Sequence, residues 1–589
     1  VLPGTPRPVL CALLVAVLGT AAPARPPSPL HLPRAQTLYT SGTMYAPPSN
    51  FNPLDANGGF GGALGCPGAG CQPAGRGAGR WQGPYATGTM GLLYEPLFLY
   101  DPVHRRYVPW LATSGYWRGS SYVVHVRRGV EWSDGEPLTG ADVAYTVNLA
   151  RANPEVPWRQ LAYLGLEGAH ASGETVTVDF ARPPPYAAWQ RYLWTAPVLP
   201  EHIWSKLTPS DQVVEPNLHP VGSGPMLVAY RSPEEVAYRL NPRWWGARQL
   251  GLSFRFKYLV DQVTSAPGVE LTKLLSGDID LSNAFLPGAA NVLSSRGGAG
   301  EYNITAYYQS PPYMLPASTA WLVPNTQVAP MDNLDFRRAL AWAVGPKAIV
   351  AEIYSGAAAM SPTGLPPGMG AYLSKAALAK YGFGHDLARA RRYLGKSGYR
   401  GGPLSLVLPA GPADLSAAAK VVSGELASIG VRLRVVYEGY SDWERALAEG
   451  TFDLTIAGEG ALDADPWSYF DRVFAQPVGG AGDEQAAGLD LERYRDPRAW
   501  ALVKEAGSAP PGARQLKSTY GQLEQELLQD LPVVPLWYGM AWAQANTTWW
   551  SGFPSATATK DGYTPVMWTG WLGEATTVLA LANLRPAKR

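Results

Sequence analysis

Read for the spacing of apolar and polar positions, the chain resolves into short strands and medium helices from about residue 85 onward. Residues 121–126, SYVVHV, carry the period-two pattern of a strand with one buried face, and ETVTVDF at 174–180 repeats it. Between them Thr139 opens TGADVAYTVNLARA, a helix whose cap is followed three positions on by Asp142, an acidic variant of the capping box. LDFRRALAWAVGPKAIVAEIY reads as two helices broken at Gly345-Pro346, because proline lacks a backbone donor and suits only a first turn. LSLVLPAG (404–411), a helix to Ile429, VRLRVVYEG (431–439), a helix from Ser441 and FDLTIAGEG (452–460) then follow in β-α-β-α-β order. That alternation predicts an α/β lobe within residues 305–540. Two Pro- or Gly-rich stretches, 25–35 and 55–84, show neither period and predict a leader and a long loop.

Composition narrows the partner. With 589 residues the chain is long enough for two or more lobes, each with its own core. Hydrophobic content of 46% against 16% charged describes a folded chain. A formal charge of +1 gives no electrostatic reason to expect nucleic acid or an anionic membrane surface. The 21 Trp and 31 Tyr point to an aromatic-lined recognition surface, with core packing the alternative for any one of them. At the N-terminus, Arg7, an apolar run over 9–18 and Ala22-Pro23-Ala24 form a secretory signal pattern, too short to span a bilayer. Residues 1–24 are therefore expected to be a signal peptide and 25–36 a flexible leader. Cys11 falls inside that signal, which leaves Cys66 and Cys71 in CPGAGC; in an oxidising compartment they predict a small-loop disulfide.

Catalytic signatures are sparse. No H-E-x-x-H occurs among the seven histidines, and no G-x-S-x-G elbow exists. Gly395-Lys396-Ser397 looks like the end of a phosphate loop, but its required first glycine is Ala390. Two carboxylate pairs remain. Asp134 and Glu136 flank Gly135 in a turn, where they are an acid and base, a metal site or architecture. Asp463 and Asp465 are a candidate glycosidase pair, a pattern of two carboxylates that any large exported protein offers by coincidence. Neither a metal nor a cofactor is expected.

Six segments, in order, carry a resemblance. YEPLFLYDP from Tyr94 leads through PWLATSGYW into VRRGVEWSDGEPLTGADVAYTV. GSGPMLVAYRSPEEVAYRLNPRWWG (222–246), LTKLLSGDIDL (271–281) and PMDNLDFRRALAWAVGPKAIVAEIYSGAA (330–358) follow. DLARARRYLGKSGY (386–399) and LASIGVRLRVVYEGYSDWERALAEGTFDLTIAGEG (426–460) complete the set. Together, spanning about 37 to 575, they resemble the signature blocks of the family 5 extracellular solute-binding proteins, the oligopeptide, nickel and oligosaccharide receptors of ABC importers.

The resemblance implies an α/β, two-lobed periplasmic-binding-protein-like fold of type II, the large subclass with an extra N-terminal subdomain. Lobe I would span 37–300, with that subdomain at about 85–215. Lobe II would span 301–544, and 545–589 would return to complete lobe I. Asp134 and Glu136 then read as architecture, and Arg337 and Arg338 as members of helix-face ion pairs. The chain departs from the family at Gly345-Pro346-Lys347, where Asp-Arg is usual. It departs again at Leu462, four residues before Pro466, where peptide-binding members carry an aspartate for the ligand's amino terminus. Leucine cannot neutralise a buried ammonium, and Asp463 lies one position away. Candidate ligand contacts are Asn50, Phe51 and Asn52 after the first strand, Asp463, Asp465 and Trp467 in the DP loop, and Trp537, Tyr538 and Trp542 in the returning segment.

The expected ligand is a small extended molecule, an oligosaccharide in preference to an oligopeptide, because sugars present flat C–H faces to aromatics. The scattered histidines disfavour nickel. The expected protein is a monomer without enzymatic activity, exported to the periplasm or cell exterior at the outer face of the cell membrane, with ABC permease subunits as partners. The alternatives are a secreted glycoside or peptide hydrolase using Asp463 and Asp465, and a polymer-adhesion module.

Overall fold

The computed structural model describes residues 32–588 apart from 45–50, 55–89, 458–464, 475–491, 558–576 and a few shorter stretches. The expected signal peptide, Asn50, Cys66, Cys71 and Asp463 therefore lie outside the described residues.

Two mixed sheets organise the molecule. The first has seven strands, in the spatial order Ile304–Thr305, Gln544–Asn546, Leu281–Ser282, Thr37–Met44, Tyr258–Val263, Glu235–Leu240 and Met226–Arg231. The second has six: Ala359–Met360, Val534–Ala541, Leu315–Pro324, Leu454–Ala457, Pro403–Pro409 and Arg432–Glu438. The chain passes from the first sheet to the second between Thr305 and Leu315, and returns between Ala541 and Gln544. This is the two-lobed α/β architecture that the signature blocks imply. A separate four-stranded antiparallel sheet spans residues 112–180, with the helix Gly140–Ala152 packed on it. Among the described residues no helix is long and apolar enough to cross a membrane.

Local chemistry explains several of the sequence patterns. Thr139 caps the helix Gly140–Ala152: its hydroxyl accepts from Ala141 N–H, and its own N–H donates to Asp142 at 2.8 Å. The other Asp142 oxygen accepts from Glu201 N–H at 3.0 Å, so this buried carboxylate also ties in the next segment. Asp134 accepts from Glu136 N–H and sits 2.8 Å from His202 Nε2, while Gly135 adopts a φ of +102°. The Asp134–Gly135–Glu136 turn is thus architecture. In the GSGPM stretch, a Cβ on Gly222 would lie 1.9 Å from the Leu93 carbonyl oxygen and one on Gly224 2.3 Å from that of Leu92. Backbone passes so close to backbone here that only glycine fits.

Arg337 corrects one expectation. It makes no helix-face ion pair; its buried guanidinium donates to the carbonyls of Met331, Asp332, Asp530 and Leu531. Two of these close the helix Arg514–Asp530, where a cation satisfies carbonyls that have no helical partner. Arg338 does form the expected pair, with Asp335 at 3.6 Å.

The tryptophans fill the cores. Trp110, Trp132, Trp158, Trp189, Trp204 and Trp245 are fully buried in the first lobe. In the second sheet, Trp321 and Leu322 point to opposite faces and feed separate cores, as period two requires. At the heart of the first lobe, Glu95 accepts from three indole N–H groups: Trp110 at 2.9 Å, Trp244 at 3.0 Å and Trp245 at 2.8 Å.

Glu95→Ala leaves three buried donors without an acceptor, so urea unfolding is expected to show a loss of about 3 kcal/mol or more. Burial raises the Glu95 carboxyl from 4.5 to about 7, against the pull of the three donors toward its ionised form. The folded state therefore keeps a proton that the unfolded chain has released. The contribution to stability is fully present below pH 4.5 and falls as pH rises to 7. Urea titrations across that window are expected to show wild type losing on the order of 3 kcal/mol relative to Glu95→Gln, which cannot ionise.

Candidate functional site

The crossings at 306–314 and 542–543 bring side chains from both lobes together. Phe285 follows the strand Leu281–Ser282 of the first sheet, Tyr354 ends the helix Pro346–Tyr354 of the second lobe, and Trp542 lies in the returning crossing. The three rings pack mutually, with centroids 5.0 Å apart for Phe285–Tyr354, 4.9 Å for Phe285–Trp542 and 5.8 Å for the stacked pair Tyr354–Trp542. Trp537 backs Tyr354 at 6.0 Å.

Tyr354 is held from its polar end as well. Its hydroxyl donates to Asp414 at 3.0 Å, at the start of the helix Ala413–Ala427. Burial raises both groups, Tyr354 well above the ordinary phenol range, so the pair favours the protonated phenol. Around the rings lies a pocket lined by Leu286, Gly288 and Leu293 from the first lobe, Met314 from the outgoing crossing, Ile353 and Ala357 from the second lobe, and Gln544. It encloses about 10 Å³, room for about one water molecule. Its walls belong to different lobes, so any change in the angle between them changes its size.

The sequence-derived candidates divide sharply. Trp542 lies in this pocket and Trp537 directly behind it. Tyr538 is half-buried and donates its hydroxyl to Leu365 O at 2.9 Å. The other described candidates, Phe51, Asn52, Asp465 and Trp467, are engaged within the protein. Phe51 is fully buried in the first-lobe core. Asn52 is buried too, its amide donating to Gln212 O and Glu215 O while its oxygen accepts from Leu54 N–H. Asp465 accepts from Trp467 N–H and from the Tyr520 hydroxyl, each at 2.9 Å, which holds the start of the helix Trp467–Phe474. Trp467 is buried and donates its indole N–H to Val503 O. The DP loop thus directs both residues inward, because a helix start needs an acceptor and its first large ring needs a core.

Phe285, Tyr354, Asn283 and Gln544 were not singled out in the sequence. A faint signal existed: Gln544 interrupts the apolar run MAWAQA, and Asn283 interrupts DLSNAF. Elsewhere, Asp496, Glu526 and Asp530 each bring a carboxylate oxygen within 4.8 Å of the others. Those groups already cap the helix Pro497–Ser508, face Arg498 at 3.6 Å and accept from the Tyr494 hydroxyl, respectively.

Comparison with known proteins agrees with this geometry. The chain is 26% identical over 471 residues to the probable ABC transporter periplasmic-binding protein SapA of Escherichia coli, covering 75% of this chain and 81% of that protein. The crystal structure of a periplasmic oligopeptide-binding protein of an oligopeptide ABC transporter from Thermotoga maritima superposes with a TM-score of 0.80 at 30% identity, over 94% of this chain and 99% of that one. Its mannohexaose-bound form gives the same TM-score at 29% identity, over 95% and 100% of the two chains. The family model for bacterial extracellular solute-binding proteins, family 5 (middle region), matches residues 106–480, more than half of the chain. The chain therefore belongs to the bacterial extracellular solute-binding proteins of family 5, exported receptors that deliver a solute to an ABC importer without transforming it.

Proposed function

We propose that this receptor captures a neutral oligosaccharide between its lobes. In this reading lobe I (37–300, completed by 545–589) closes on lobe II (301–544), and the closed monomer docks on ABC permease subunits at the outer face of the cell membrane. The observation that carries it is the likeness, over 95% of the chain at a TM-score of 0.80, to a protein crystallised with mannohexaose, combined with an aromatic junction built from both lobes. Leu462 adds to it: the carboxylate that would neutralise a peptide's amino terminus is absent from that position. The relative named as a periplasmic-binding protein of Escherichia coli has a Salmonella counterpart named for peptide transport, and that favours a peptide as the second reading.

Closure needs no chemistry. A ligand that touches both lobes stabilises the closed state by its differential affinity alone, and a ligand that touches one lobe leaves the equilibrium where it was.

A thermal-shift screen of mannohexaose, cello- and xylo-oligosaccharides beside tri- to pentapeptides is expected to raise the melting temperature with a sugar. At a hundredfold excess over Kd the stabilisation is about 2.7 kcal/mol. Peptide-only shifts would replace the sugar with the second reading, and flat curves across both panels would count against capture of either. Small-angle scattering is expected to show a smaller radius of gyration with the bound sugar; a surface-adhesion module would bind without that contraction.

A further inference from the structure

Buried carboxamides in this fold are, as a rule, fully engaged. Asn52 makes three hydrogen bonds, Asn325 donates to Gly450 O and Phe452 O and accepts from Gln327 N–H, and Asn546 donates to Leu274 O and Tyr302 O and accepts from Thr548 N–H. Two beside the return strand break the rule: Gln544 within it, and Asn283 next to Ser282, the ladder partner of Gln544. Asn283 is 8% exposed and Gln544 1%. Neither Asn283 Nδ2 nor Asn283 Oδ1 nor Gln544 Oε1 has a partner among the described residues. Gln544 Nε2 faces the Met314 sulfur at 3.8 Å, a weak acceptor.

Their positions are fixed by backbone. Gln544 pairs with Ser282 across the antiparallel ladder, and Asn283 is the next residue along, its N–H donating to Ser41 O at 2.9 Å. Gln544 lines the pocket that Phe285, Tyr354 and Trp542 also line, whereas Asn283, two residues before Phe285, adjoins that wall and is not part of it. A buried amide left without partners costs about 1–3 kcal/mol, and such groups call for a functional explanation. Both are neutral, and each amide carries donor and acceptor together. A sugar hydroxyl offers the same two capacities, whereas a charged peptide terminus would call for an opposite charge.

We propose that Asn283 and Gln544 are the polar contacts of the ligand site at the junction. Gln544 Oε1 accepts from one hydroxyl, Asn283 both donates to and accepts from another, and the rings of the junction cover the sugar's apolar face as the lobes close. This rests on the sugar-receptor reading above and supplies its specificity-determining residues.

The test uses Asn283→Leu and Gln544→Met, which keep size and remove hydrogen-bonding capacity. Calorimetric titration with mannohexaose is expected to show about tenfold weaker binding for Gln544→Met, the value of one hydrogen bond, and a larger loss for Asn283→Leu, which removes two. Melting temperatures without sugar are expected to stay level or rise, because the unpaired amide is gone. A purely structural role would lower stability and binding together, and that result overturns the proposal. So does wild-type affinity in both variants. Wild type failing to bind any sugar in the panel would instead remove the reading this one rests on, and this one with it. In crystals grown with mannohexaose, a sugar hydroxyl within hydrogen-bond distance of each amide is expected; ordered water alone on both would overturn the assignment.

Discussion

The strand Gln544–Asn546 is the constraint on which the rest depends. It comes back from the second lobe and must insert between Ile304–Thr305 and Leu281–Ser282, antiparallel to both. Asn546 locks it there by hydrogen bonds to Leu274 O and Tyr302 O, and its N–H donates to Asp280 O. The Asp280 carboxylate in turn receives Arg34 at 2.6 Å and Tyr39 N–H at 2.8 Å, so the N-terminal strand, through the carboxylate, and the return strand, through the backbone carbonyl, meet at one residue. Burial pushes that carboxyl up to about 6, while the Arg34 guanidinium pulls it back down. With the return strand pinned in this way, the chain crosses between the two sheets over 306–314 and 542–543.

The aromatic rings gather beside these crossings. Phe285, Tyr354 and Trp542 come from three separate stretches of chain, and each stretch is anchored in its own sheet or helix. The Tyr354–Asp414 hydrogen bond then keeps one ring from following the other lobe.

Local patterns were read well from the sequence because local chemistry decides them. The capping box at Thr139, the break at Gly345-Pro346 and the β-α-β-α-β run after 403 all follow from neighbours within a few residues. The role of Gly222 and Gly224 also shows as a motif, although its cause, the approach of the 92–93 backbone, does not. Long-range choices were less legible. Arg337 sits on a helix with charged neighbours, and nothing nearby reveals that two of its carbonyl partners lie some 190 residues later. Trp467 and Asp465 follow a loop that the family places near the cleft, yet a helix start consumes both. The junction residues Phe285 and Tyr354 carry no local signal because they acquire meaning only by meeting each other.

The distribution of indoles has an optical consequence. Most tryptophans that could dominate the intrinsic emission are locked in dry cores, including the three around Glu95, so their spectra depend little on what happens between the lobes. Trp542, half-buried and stacked on Tyr354 at the crossing between the sheets, is an indole whose surroundings would change with the proposed closure. Under that closure its fluorescence would gauge lobe angle, small against a large constant background, without any dye being attached.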